Sequence, residues 1–451
     1  MLVNGYWHRY GQHYRAIAKL SGPIMVAQLG TIVTGFADTM MVGHYNTPSL
    51  AAGSLVTTVF NLVILLSLGF SYGITPLVGA LASQGDNRKV GTMMRHVAAA
   101  NVVFGLVLML ASGAFYFALG HLGQPVEIMP LVRPYYIIIW LSMIPVILTH
   151  IFRQSCDAVG DTQLGMWIFT AGNVLNIVGN YMLIFGKWGA PELGLAGAGW
   201  STLAARCFMA VAYVAAMLLA SRYKAYHEGI AQSRTSWHDI ARVTRTSLPV
   251  ALQMGLETGI FTFAMILVGW MGTKSMAAYQ ILLQVGTLGF MIYYAFGAGM
   301  AIKIAHYTGL GDKAAVRDAA HAGYRLTLAF TLLACVIFIT TGRWIVAFFT
   351  ADRAVIAIAV SMLVPLLLVP LSLYQLGDAT QVTYANALRG TGQVMSMLRV
   401  AVVAYLLIGL PVIPALAFLA GLGLAGVYYG FFVALLTAGI LFCREFYRHL
   451  L

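Results

Sequence analysis

Apolar runs of about 20 residues, the length of a helix that crosses a bilayer, recur from one end of this chain to the other. Inside hydrocarbon only helices and closed barrels satisfy their own backbone polar groups. The runs are continuous and do not alternate apolar with polar, so they are helices and not barrel strands. Composition agrees: of 451 residues 60% are hydrophobic and only 9% are charged, where a soluble domain carries about a quarter charged. The fold class is therefore an all-α polytopic membrane protein. Twelve transmembrane helices are expected, at 18–43, 49–82, 93–120, 131–155, 162–186, 194–221, 243–270, 275–307, 319–347, 355–387, 393–418 and 421–444. The first run has no small-residue cleavage site after it and reads as a retained span, not a signal peptide. Cys156, Cys207, Cys335 and Cys443 are far apart and give no disulfide or metal spacing.

An even number of spans puts both termini on one side. On that side fall 20 of the 26 Lys and Arg, among them Arg88, Lys89, Arg222, Lys224, Lys313 and Arg317. Only Arg133, Lys187, Lys274, Arg343 and Arg353 fall on the other, and Arg206 lies inside a span. This bias places both termini in the cytoplasm. It also accounts for the net charge of +12, so no nucleic-acid partner is implied.

The chain repeats itself. Residues 21–96 laid without a gap on 247–322 share fifteen identities, with "VGHYNTPSLAAGS" over "VGWMGTKSMAAYQ" and Pro23 over Pro249. "AVGDT" near residue 160 resembles "LRGTG" near 390, and "GLAGAG" resembles "GLAGVY". The sequence thus reads as two pseudo-symmetric six-helix lobes, 1–221 and 246–451, joined by a cytoplasmic inter-lobe linker, 222–245. The first and seventh spans start on the same side, so the lobes are parallel repeats. Two such bundles meeting at a cleft are a common transporter layout, with spans one, two, seven and eight expected to line it. Pro23 and Pro249 are expected near helix starts, where proline is tolerated. Pro365, Pro370, Pro411 and Pro414 fall inside later spans and are candidates for kinks.

Of the 14 acidic residues only Asp38, Glu257 and Asp378 fall within spans. A charge at mid-membrane costs at least ~2.5 kcal/mol if unpaired, so each acid should face a cavity or a partner. Tyr374, Gln375, Asp378 and Gln381 share one helical face, as do Gln253 with Glu257, Thr31 and Thr34 with Asp38, Asn173 with Asn176 and Asn180, and Gln280 with Gln284. The amide stripes have an ordinary structural use as well, bonding helices within a lobe. Burial disfavours the charged form of a carboxylate. Such a group is best tolerated when it holds a proton or a cation, which is the chemistry of a site where a coupling ion and a cationic substrate compete. Glu257 and Asp378 belong to the same half and are expected to share one cation-coupling site, with Gln280, Gln284 and Tyr374 as neighbours. Asp38, in the other half, would be a second.

The stretches "YQLGDATQVTYANALRGTGQ", "GFADTMMVG", "LNIVGNYMLIFGKWGAPELGLAGAG" and "AAYQILLQVGTLGFMIYYAFGAGMAIKIAHYTG" resemble the multidrug and toxic compound extrusion (MATE) family, in its NorM-like bacterial branch. The resemblance covers nearly all twelve spans. It implies a monomeric antiporter in the bacterial inner membrane, with lipids around it. Such a protein exports cationic amphipathic compounds in exchange for Na⁺ or H⁺ and has no cofactor beyond that ion. Asp38, Glu257 and Asp378 match the family's acids, and Asn176 and Asn180 match its fifth-span asparagines. Na⁺ at Glu257 and Asp378 is the metal this resemblance favours. "CDAVGDT" and "LRGTGQV" keep only part of the family's loop motif, and Arg206 lies outside its pattern.

Two rivals remain. A lipid-precursor flippase, or another small-molecule exporter of the same superfamily, would carry anionic substrates past several basic residues within its spans, and here the interior excess is acidic. A membrane enzyme would need clustered His, Asp or Ser and large loops. The eleven histidines show no HExxH pattern and there is no P-loop. The 22 methionines suit an adaptable apolar wall as well as ordinary membrane core.

Overall fold

The computed structural model describes residues 2–121, 128–349, 352–363 and 370–450. All regular structure among them is helical. In chain order the helices are α1 (Leu2–Tyr45), α2 (Thr47–Ser71), α3 (Ile74–Ser83), α4 (Asn87–Ala118), α5 (Met129–Leu141), α6 (Met143–Ala158), α7 (Thr162–Phe185), α8 (Gly194–Leu219) and α9 (Ser221–Gln232). They continue with α10 (Trp237–Trp270), α11 (Thr273–Gly309), α12 (Lys313–Phe349), α13 (Arg353–Leu363), α14 (Pro370–Gly390), α15 (Val394–Ala401), α16 (Leu410–Pro414) and α17 (Gly423–Leu450).

Among the described residues eleven stretches are long and apolar enough to cross a membrane. The remaining expected span falls on α13 and α14, and the residues between them, including Pro365, lie outside the described ones. Large apolar side chains such as Leu110, Phe117, Leu407 and Leu419 project outward from these helices. That is the reverse of a soluble surface and the mark of one that faces lipid. Trp167, Trp188, Trp237, Trp270 and Trp344 are also exposed, each within a few residues of a helix end. There an amphipathic indole sits at the level of the headgroups.

Two expected spans are each built from two helices. The span at 49–82 breaks at Tyr72–Gly73 between α2 and α3. A side chain at Gly73 would run into Ser247 of α10, so glycine is what lets these segments touch. The span at 131–155 breaks at Ser142 between α5 and α6. Polar side chains cap some of the helices that follow loops. Asn46 accepts from Ser49 N–H at 2.7 Å, Asp86 from Lys89 N–H at 3.1 Å and Asp161 from Leu164 N–H at 3.4 Å. Asp86 is exposed, and the Lys89 backbone N–H that it accepts holds its carboxyl below the usual range.

Pro23 and Pro249 are not near helix starts. α1 and α10 begin well before them and run through both prolines. Each proline removes one intrahelical hydrogen bond, a loss that the long helix on either side outweighs. Contacts divide the chain into two compact units, one of Val26–Ala251 and one of Met1–Met25 with Leu252–Leu451. The divisions fall just after the two repeat-related prolines. Pro411 and Pro414 lie in a span that is wound as π-helix over Val402–Gly409 and Ala415–Leu419. A wider turn there removes the clash of a proline ring with the carbonyl before it.

The segment after α8 is not an open loop. α9 lies along α4, with Arg88 donating to Gln232 Oε1 at 2.8 Å and Arg95 to the Ile230 carbonyl at 2.8 Å. Gly91 and Gly229 permit this approach, since a Cβ on either would meet backbone of the other helix. At the start of α9, Tyr223 donates to Asp161 Oδ2 at 2.5 Å and Arg222 pairs with the same oxygen at 2.8 Å. Burial pushes the Tyr223 hydroxyl well up from its ordinary range, so it stays a donor.

Candidate functional site

In the unit that contains Leu252–Leu451, α10 and α14 bring Glu257 and Asp378 into one cluster, close enough for the two carboxylates to repel. Gln253, one turn before Glu257, donates to Glu257 Oε2 at 2.7 Å. Gln381, one turn after Asp378, donates to the same oxygen at 3.1 Å. Tyr293 of α11 donates to Asp378 Oδ2, and Tyr374 faces Asp378 from the preceding turn of α14. Tyr405, on the π-helical stretch, faces Gln253 and Gln381. Asp378, Gln253, Gln381, Tyr293 and Tyr405 are each only 1% exposed.

Several oxygens in this cluster are left over. Asp378 Oδ1, Gln253 Oε1, Gln381 Oε1 and the Tyr405 hydroxyl are buried and close no hydrogen bond of good geometry, although the Tyr405 hydroxyl faces both glutamines and can donate to one of them. Buried acceptors without donors are costly. A group of them around two carboxylates is a donor set of hard oxygens, the kind that suits Na⁺ or a proton and not a soft metal. An aromatic wall closes one side, where Tyr374 contacts Phe261, Tyr428 and Phe431 with centroids 6.1, 5.8 and 5.9 Å away.

In the unit of Val26–Ala251, a cavity of about 330 Å³ is walled by α1, α2, α6, α7 and α8. Asp38 lines it together with Thr31 and Thr34. Both threonines spend their hydroxyls on carbonyls one turn back, at 3.1 and 2.9 Å. Asn180 donates to Asp38 and also reaches Asn176 Oδ1 at 3.4 Å; Asn176 in turn donates to Thr202 at 3.2 Å. Arg206 lines the same cavity and donates to Ser142 Oγ at 2.5 Å. That hydroxyl gives its own proton to the Ile139 carbonyl at 2.6 Å and so acts toward Arg206 as an acceptor.

Not every residue singled out in the sequence joins these sites. Gln280 donates to Met265 Sδ at 3.5 Å, and Gln284 is exposed. Gln375, on the polar stripe with Asp378, donates to the Gly286 carbonyl at 2.9 Å. It fits against α11 because Gly289 leaves room, a Cβ there falling 2.7 Å from its Oε1. This is the helix-joining use of a membrane amide. Tyr293 and Tyr405 lie in apolar runs with no polar periodicity around them, so no sequence signal marked them. Arg206 was marked only as an oddity, and its neighbours are Ser142 and the Asp38 cavity.

A helical membrane protein with charged and polar clusters buried inside two repeated bundles belongs to the class of polytopic transporters. The chain is a member of the MatE family, whose model matches residues 23–182 and 249–415, two blocks that begin at the repeat-related prolines. This is the family of multidrug efflux transporters. The chain is 31% identical to the multidrug resistance protein PmpM of Pseudomonas aeruginosa, over 96% of this chain and 91% of that protein. It is 27% identical to the probable multidrug resistance protein NorM of Agrobacterium fabrum, over 96% and 93%. Its fold matches an outward-facing multidrug resistance MATE transporter of the MOP superfamily with a TM-score of 0.88 at 17% identity, covering 97% and 96%.

Proposed function

We propose that this chain is a secondary active antiporter of a bacterial inner membrane, with both termini cytoplasmic. It exports cationic amphipathic compounds in exchange for Na⁺ or H⁺. The observation that carries this reading is the pair Glu257 and Asp378, half-buried and buried respectively and brought together within the spans among oxygens that close no hydrogen bond. Two close carboxylates cannot both stay charged and empty at low cost. A bound cation or proton offsets their repulsion and supplies the missing partner for Asp378 Oδ1 and the two glutamine carbonyls. When the coupling ion leaves, the exposed negative charge favours a cationic substrate elsewhere in the protein. Loading on one side and release on the other gives exchange by alternating access. The oxygen-rich donor set suits Na⁺, and the sequence resemblance leans the same way.

The test uses everted membrane vesicles that contain the full chain and a fluorescent monocationic dye. An imposed Na⁺ or H⁺ gradient, each applied in turn, should drive dye movement that Asp378→Asn abolishes. No movement under either gradient, or equal movement in the variant, rejects the reading.

A further inference from the structure

Val102, Leu106 and Leu110 stand one turn apart on an exposed face of α4, the kind of face that meets lipid. Counted back in turns of three and four residues, the same face carries Arg95, Thr92 and Arg88. These are the side chains that bond to α9: Arg88 to Gln232, Thr92 to the Gly229 carbonyl at 3.4 Å and Arg95 to the Ile230 carbonyl. α9 therefore lies across a face that meets lipid about 10 Å further along α4. The end of α8 makes the same passage from oil to charge. Leu218 and Leu219, its last two residues, are 61% and 78% exposed. Arg222 and Lys224 follow on α9, both exposed. Three residues of chain span at most about 10 Å, and the headgroup layer on each side of a bilayer is about 5–8 Å thick. Where Leu219 meets acyl chains, the start of α9 lies among phosphates.

An excess of Lys and Arg on one side of a membrane protein follows from topology alone, and a loose loop satisfies that rule. Here the basic residues sit on a helix fixed by backbone contact at Gly91 and Gly229. The acids beside them are engaged. Asp86 caps α4 and pairs with Lys89 at 2.9 Å, Glu228 accepts from Gln232 at 3.1 Å, and Asp161 is shared by Tyr223 and Arg222. Arg222 keeps 58% of its side chain exposed even in that pair.

We propose that α9 is an interfacial helix that docks an anionic phospholipid. Arg222 and Lys224 receive its phosphate, and Leu218 and Leu219 contact the adjoining acyl chain. A zwitterionic lipid offers the same chains, but its ammonium offsets the phosphate charge, so this surface favours a headgroup of net negative charge. The bound headgroup holds the start of α9 at the membrane while α4 holds its end. The inference is independent of which ion or compound the chain carries.

The test is native mass spectrometry of the purified full chain, released from detergent with equal amounts of phosphatidylglycerol and phosphatidylcholine that have the same acyl chains. The wild type should retain phosphatidylglycerol in preference. Lys224→Gln, a change at an exposed side chain, should lower the ratio of the two lipids about fivefold, the value of one basic residue near a charged surface. Lys224→Glu should lower it further. Lys313→Gln removes an equally exposed lysine at the start of α12 and should leave the ratio unchanged. Excess inorganic phosphate should not release the lipid. Equal retention of the two lipids by the wild type overturns the proposal, as does an equal fall in Lys224→Gln and Lys313→Gln, which would make the preference one of overall charge. Release by inorganic phosphate would assign the site to a soluble anion and overturn it too.

Discussion

Asn180 of α7 donates a hydrogen bond to the Asp38 carboxylate of α1, and Asn180 is itself fully buried. One amide thereby fixes the acid against the cavity wall without neutralising it. The same amide reaches Asn176, which reaches Thr202 on α8. The position of Asp38 is thus set by a chain of neutral side chains across three helices. Its charge stays available to whatever enters the cavity.

Asp38→Asn should separate charge from shape. The new amide can still accept from Asn180, so folding and thermal midpoint should match the wild type. Gradient-driven efflux should fall about tenfold or more, the loss expected for one charge-assisted contact. Asn180→Ala keeps the charge and removes its anchor, so it should weaken substrate binding less than Asp38→Asn. Wild-type efflux in Asp38→Asn would remove this acid from the mechanism.

The crossing of α4 and α9 depends on two glycines. A Cβ at Gly229 would meet the Arg88 carbonyl and one at Gly91 the Tyr226 carbonyl. Backbone cannot yield as a flexible side chain can, so Gly229→Val should cost about 1–3 kcal/mol. The visible effect should be at the linker, where limited proteolysis should cut 221–236 much faster than in the wild type. A variant as resistant as the wild type would mean that α9 is not held by this crossing.

The spans and the three acids within them were legible because lipid imposes a simple rule: apolar length is visible and a charge inside it stands out. The partners of those acids were less so. The polar stripe on α14 holds Gln375 and Gln381 at matching spacing, yet Gln375 bonds to the α11 backbone while Gln381 reaches Glu257. Helical spacing names a face, and packing against glycines decides what that face meets. Gln280 and Gln284 show the same limit, since Gln280 reaches Met265 and Gln284 is exposed. The breaks at Gly73 and Ser142 lie within unbroken apolar sequence. Only contact with Ser247 and Arg206 gives them a purpose.

Asp161 joins three roles in one carboxylate. It caps α7 at Leu164, accepts from Tyr223 and pairs with Arg222. Asp161→Ala removes the cap, worth about 0.5–2 kcal/mol, and leaves the buried Tyr223 hydroxyl without an acceptor, at about 1–3 kcal/mol. The variant should melt clearly earlier than Tyr223→Phe, which removes donor and need together. Equal thermal midpoints for the two variants would show that Asp161 acts only through the tyrosine.

Glu257 and Asp378 give the sharpest expectation. Gln253 and Gln381 both donate to Glu257 Oε2, and Tyr293 donates to Asp378 Oδ2. The glutamine carbonyls and Asp378 Oδ1 close no hydrogen bond of good geometry. If one cation fills that gap it feels both acids at once, and removing either should cost much of what removing both costs. Na⁺ binding to the purified chain, measured by calorimetry in the wild type, Glu257→Gln, Asp378→Asn and the double variant, should then be strongly non-additive. The coupling energy should be about 1–3 kcal/mol, the upper range for residues that share a partner. Gln381→Ala should weaken Na⁺ by less than either acid variant, since it removes one neutral ligand and one anchor of Glu257. Additive effects of the two acid variants, with ion-dependent efflux surviving both, would sink the shared site. Asp378 would then be a structural acceptor for Tyr293 and not the coupling group.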